Sequence, residues 1–136
     1  MMETNMVPIP SIDSCGLTRR SSCPVNYMVE LLGDRWSLII IRDMLFNGKR
    51  TFGEFLASSE GIARNILAAR LRQLEQDGLM VKQPFPGDGR KDVYSLSEKG
   101  KQLLPILRAM AEWSFANEPM TRAYWPGEDE PMATSE

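Results

Sequence analysis

Residues 61–80 read GIARNILAARLRQLEQDGLM. Leu67, Leu71 and Leu74 recur at i, i+4 and i+7, which predicts a helix over 63–76 with a buried leucine stripe. With that stripe facing inward, Asn65, Ala69, Arg72 and Gln76 point most nearly outward. Ala68 lies beside that face, and Arg64 and Arg70 flank the stripe. Asn and Arg are the side chains that pair bidentately with adenine and guanine edges in a major groove. Small residues such as Ala68 and Ala69 let a helix backbone approach another surface, and a helix N-terminus favours phosphate. From this helix alone, a solvated face is the favoured reading, since Arg is also a good helix former.

Two further basic pairs weigh on that choice. Arg90 and Lys91 follow the Gly-rich run PGDG, and Lys49 and Arg50 precede a short helical segment. Both are placed for contact with a phosphate backbone. The other reactive residues are two thiols, Cys15 and Cys23, whose spacing is neither a metal motif nor a C-x-x-C pair. There is no histidine. The commonest general base and the commonest metal ligand are therefore missing, and no Ser-His or Cys-His arrangement exists within one chain. No catalytic residue, metal site or cofactor is assigned. A thiol enzyme built on Cys23 would lack a histidine to activate it.

The chain has 136 residues and a formal net charge of −2, and its length suits a single domain. The sum of charges hides an asymmetry. All 16 Lys and Arg fall between Arg19 and Arg122, with 12 of the 18 acidic residues, so that segment carries 16 − 12 = +4. Charge distribution, rather than its total, bears on an anionic partner. The longest apolar run, Leu38–Ile41, is far short of a membrane span. The N-terminal residues show no export signal, and a cytoplasmic location is expected.

The elements that must position these residues follow from periodicity and punctuation. Residues 1–22, with Pro8, Pro10 and Gly16, predict a mobile arm. Pro24 opens a helix that Gly33 ends. Asp34 caps a second helix, from Arg35 to about Phe46, apolar nearly all round and so central. Lys49–Thr51 suits a very short strand and Phe52 to Ser58 a short helix. After the quoted helix the period shifts toward two. Leu79–Phe85 and Lys91–Leu96 form a hairpin around a turn at Asp88-Gly89. Ser97 caps a last helix from Glu98 to about Asn117, its capping pattern weakened by Gly100 in the third position. That helix presents a wider apolar face than a small domain can cover, which points to dimerisation. Residues 118–136 predict a loose acidic tail. The fold class is mostly α with a small β-hairpin, in the order of a winged helix-turn-helix.

The run from Cys23 to Trp113 closely resembles the HxlR family of bacterial transcriptional regulators, a MarR-related branch of winged-helix proteins. The motifs carrying the resemblance are CPV, GDRWS, RTFGEF, RLRQLEQDGL, YSLSEKG and LPIL. It implies an HxlR-type domain over 23–117, a recognition helix at Ala63–Gln76 and a wing at Phe85–Lys91. DNA contacts are then expected from Lys49, Arg50, Arg64, Asn65, Ala68, Ala69, Arg70, Arg72, Arg90 and Lys91, with Arg70 alternatively a brace. It further implies a homodimer on a palindromic operator, with Val25, Met28, Leu103, Leu107, Met110 and Trp113 in the interface. Cys23 matches the family's CP cysteine, which in some members senses oxidants or electrophiles. Here it is either such a sensor, with Cys15 in the arm as resolving thiol, or a small residue packed at the dimer interface. A small-molecule effector is a further candidate partner. Ala63 departs from the Ser or Thr cap of many members. A winged-helix module that binds protein instead of DNA is the alternative function.

Overall fold

The computed structural model describes residues 11–12 and 18–126. A two-residue bridge joins β1 (Ser11–Ile12) to β2 (Thr18–Arg19) in the stretch expected as a mobile arm. Cys15 lies outside the described residues. Arg20 then anchors the chain to the first helix, with its Nε 2.9 Å from a Glu30 carboxylate oxygen and its Nη2 2.7 Å from Asn26 Oδ1.

Helix α1 (Pro24–Leu32) begins at proline, whose missing N–H costs nothing in a first turn. Helix α2 (Ser37–Phe46) starts two residues later than its sequence suggests. Asp34 is the reason. Its Oδ2 accepts the backbone N–H groups of Trp36 and Ser37 at 2.9 and 3.0 Å, and its Oδ1 accepts the Ser37 hydroxyl at 2.6 Å. These bonds hold a turn ahead of the helix. The strand expected at 49–51 reduces to one backbone bond, from Tyr94 N–H to the Arg50 carbonyl at 2.8 Å. Helix α3 (Phe52–Leu56) is shorter than expected and starts at a full capping box between Thr51 and Glu54.

Helix α4 (Arg64–Gln76) buries Leu67, Leu71 and Leu74 almost completely. It ends where Gly78 turns left-handed at φ 79°. Leu79 N–H then reaches back to the Leu74 carbonyl and Gly78 N–H to that of Glu75, a Schellman closure. The paired Leu74 and Leu79 side chains are both buried, so the stop of α4 also aims the following hairpin.

The hairpin pairs β3 (Met80–Phe85) with β4 (Asp88–Leu96). Its turn is Pro86-Gly87, with Gly87 at φ 83°, and not the expected Asp88-Gly89. Proline at the first central position and a left-handed glycine at the second are what a type II turn requires. The register jumps from Pro84↔Asp92 to Phe85↔Asp88, so Gly89, Arg90 and Lys91 bulge from the ladder.

The single last helix expected from sequence is two: α5 (Glu98–Lys101) and α6 (Leu104–Asn117). Pro105 sits in the first turn of α6, where it donates no hydrogen bond back into α5. Ser97 caps α5 by accepting Gly100 N–H at 3.1 Å, while its own hydroxyl donates to the Gly78 carbonyl at 2.6 Å. A 3₁₀ turn over Pro119–Tyr124 follows. Trp125 then packs on Phe46, with ring centroids 4.7 Å apart, and on Phe115 at 6.4 Å. Residues 118–126 are thus laid on the body where their composition suggests a loose tail.

The core is one cluster drawn from α1, α2, α3, α4, the hairpin and the start of α6, centred on Ile41, Phe55, Leu67, Leu71 and Leu74. The mostly helical architecture with one antiparallel hairpin is a winged helix-turn-helix.

Candidate nucleic-acid interface

The leucine stripe fixes the rotation of α4 about its own axis. With Leu67 and Leu74 at 0% exposure and Leu71 at 2%, Arg64, Asn65 and Arg72 face solvent, and Ala68 and Ala69 are partly covered beside them. Ile66 is also exposed, at 37%. Sequence reasoning passed it over because an isoleucine in a helix reads as core. In this position it is an apolar group suited to a thymine methyl. Ala63 occupies the N-cap without a side-chain acceptor, so the first N–H groups of α4 receive no cap from it.

Arg70 turns the other way. Its Nη1 lies 3.5 Å from Asp34 Oδ1, which ties α4 to the α1–α2 turn. Burial works against the Asp34 carboxylate, but hydrogen bonds from Ser37 and Trp36 and the charge of Arg70 together lower its pKa. The Arg70 guanidinium is thus engaged with the α1–α2 turn, the geometry that the bracing alternative for this residue requires. Lys49 is similarly occupied. Its ammonium lies 3.6 Å from buried Asp43 and is only 22% exposed, whereas its neighbour Arg50 is exposed.

Phe52 links recognition helix and wing. The Arg64 guanidinium lies over its ring, 5.8 Å from the centroid. Phe52 also borders a cleft of about 400 Å³ together with Thr51, Arg90, Lys91 and Tyr94. The bond from Tyr94 to the Arg50 carbonyl pins Arg50 to the same strand. Burial raises the Tyr94 pKa, with the charges of Asp92 and Glu75 adding to it, so the phenol stays neutral. Arg90 is 93% exposed, with Asp88 Oδ1 3.7 Å from its Nε, and Lys91 lies over the Phe85 ring at 5.4 Å. Arg64 from α4 and Arg90 and Lys91 from the hairpin, distant in sequence, thereby all border the Phe52 side chain, and Asp92 lines the same cleft.

A family model described as HxlR-like helix-turn-helix matches residues 31–121. The chain belongs to the HxlR family. It is 32% identical over 105 residues to YybR of Bacillus subtilis, an HTH-type transcriptional regulator, covering 77% of this chain and 83% of YybR. It is 36% identical over 88 residues to the HTH-type regulator sll1512 of Synechocystis, covering 65% of this chain and 64% of that protein's length. The redox regulator HypR in its reduced form superposes with a TM-score of 0.61 at 30% identity, over 75% of this chain and 100% of HypR.

The interface residues expected from the family divide in two. Leu103 and Leu107 are 7% and 6% exposed and belong to the chain's own core, beside the break between α5 and α6. Met28 is partly buried against that core. Val25 and Trp113 remain about 70% exposed and Met110 about half exposed. Val29, not assigned from sequence, joins them at 48%. Cys23 is a partly exposed free thiol at the N-cap of α1. Among the described residues no cluster of metal-ligating side chains occurs, and no helix is long and apolar enough to cross a membrane.

Proposed function

We propose that this HxlR-family protein is a homodimeric, sequence-specific DNA-binding regulator of transcription. In this reading α4 lies in the major groove, with Arg64, Asn65, Ile66 and Arg72 toward base edges and Ala68 and Ala69 giving clearance. The wing from Phe85 to Lys91, with Arg50, lies against the adjacent backbone or minor groove. The observation that carries the reading is the convergence of helix and wing on Phe52, which sets Arg64 of α4 and Arg90 and Lys91 of the wing beside one side chain on a chain of net negative charge. Val25, Val29, Met110 and Trp113 on α1 and α6 supply the exposed apolar area for a second copy. Two copies then read two half-sites of a palindrome. The test is fluorescence anisotropy with DNA from upstream of the protein's own gene. Saturable binding that weakens steeply with salt is expected. Absence of binding by the wild type overturns the reading.

The likeness to HypR and the place of Cys23 at a helix N-terminus favour thiol control of that binding. Diamide treatment then changes operator affinity of the wild type but not of Cys23→Ser. An equal response in both proteins removes Cys23 from the mechanism.

A further inference from the structure

Asp43 stands inside α2 at 1% exposure. A carboxylate so buried is costly unless it is paired and hydrogen-bonded. Here both oxygens are engaged. Oδ1 accepts from Arg42 Nη2 at 2.8 Å, Arg42 Nε at 3.1 Å and Asn47 Nδ2 at 2.9 Å. Oδ2 accepts the Ser58 hydroxyl at 2.9 Å. Arg42 then turns its fork outward to Glu60, with Nη1 2.7 Å from Oε2 and Nη2 3.0 Å from Oε1. The hydrogen bonds from Arg42 hold the Glu60 pKa down at about 2 and raise that of Arg42.

Ser58 and Glu60 belong to the connection between α3 and α4, the turn of the helix-turn-helix. On the other side of that turn Ile62 is buried in the core. The segment that launches the recognition helix is therefore held between an apolar anchor and a directional ionic one. The DNA-facing side chains of α4 make no bond in this cluster, so it acts on them only through the position of the helix. Bidentate readout needs its donors placed to within about half an ångström. Directional bonds from a planar guanidinium supply that restriction better than apolar packing does.

We infer that the Arg42–Asp43–Ser58–Glu60 clamp is the positioning device of the recognition helix, with Arg42 setting discrimination between operator and other DNA without touching either. The inference rests on the DNA-binding reading above. It is tested with Glu60→Gln, Ser58→Ala, Arg42→Lys and Arg42→Met by anisotropy on operator and on scrambled duplex, across a salt series below the melting temperature. The clamp variants lower the ratio of operator to scrambled affinity by about tenfold. The slope of log K against log salt stays unchanged, because no phosphate contact is lost. If both affinities fall in proportion, the clamp serves stability alone and the inference is overturned. A slope reduced by about one in Arg42→Met, which removes the charge, makes Arg42 a phosphate ligand and overturns it equally. An unchanged ratio does the same. If an Arg42 variant does not fold, Glu60→Gln and Ser58→Ala carry the test. Failure of wild type to distinguish operator from scrambled DNA would refute the DNA-binding reading instead.

Discussion

Gly100 separates local from tertiary reasoning. By local rules it is a poor residue, since glycine in a helix costs about 1 kcal/mol against alanine. Gly100→Ala should accordingly stabilise α5. The structure reverses the sign. A Cβ at this position collides with the backbone carbonyl of Leu79 and approaches Leu96 Cδ2 to 3.0 Å. The carbonyl cannot yield freely, because it accepts Ser97 N–H at 3.0 Å and follows directly on the Schellman closure of α4. Overpacking of this kind costs about 1–3 kcal/mol, and straining the Ser97 bond adds up to about 1 kcal/mol. Against the propensity gain, the net loss is up to about 3 kcal/mol. For a chain of this size that lowers Tm by up to about 10 °C. Thermal unfolding followed by circular dichroism reads the change, with a urea midpoint as an independent check. Gly100→Glu, which completes the capping pattern with Ser97, should lose at least as much. A Gly100→Ala protein that melts at or above wild type would refute the close-approach argument.

The remaining predictions concern charge and packing. Glu60 has its folded pKa depressed to about 2 from 4.5. Its contribution is thus complete above pH 4.5 and lost as pH falls toward 2. With 36% of its side chain exposed, the contribution is discounted to about 1–2 kcal/mol. The stability difference between wild type and Glu60→Gln should therefore shrink across that window in urea titrations, and a constant difference contradicts the pairing. Arg90→Ala should reduce the salt slope of DNA binding by about one, and Arg72→Ala should cost about 1–3 kcal/mol on operator alone. Arg70→Ala should instead act on stability, as loss of the Asp34 brace. Leu67→Ala, at a position with no exposure, should destabilise by about 3 kcal/mol. Trp113→Glu, at a 70% exposed position, should give a folded monomer by light scattering. A dimer surviving that change would remove Trp113 from the interface.

By itself, the sequence determined which face of α4 is apolar and where α1, α2 and α4 stop. The leucines at 67, 71 and 74, the proline at 24 and the glycine at 78 act within a turn or two of themselves. Their effects are read from spacing alone, and with them the winged architecture and the outward side of α4. Only the tertiary structure decided which charges on that surface are free. Arg70 and Lys49 are basic residues like Arg72 and Arg50 in sequence, but acidic partners from other elements, Asp34 and Asp43, hold them. Only the tertiary structure placed Leu103 and Leu107 in the core and Ile66 in solvent, and assembled the clamp between α2 and the turn before α4. The physical reason is range. Periodicity and capping are local, whereas an ion pair, a close backbone approach or the sharing of one aromatic ring depends on how separate elements meet.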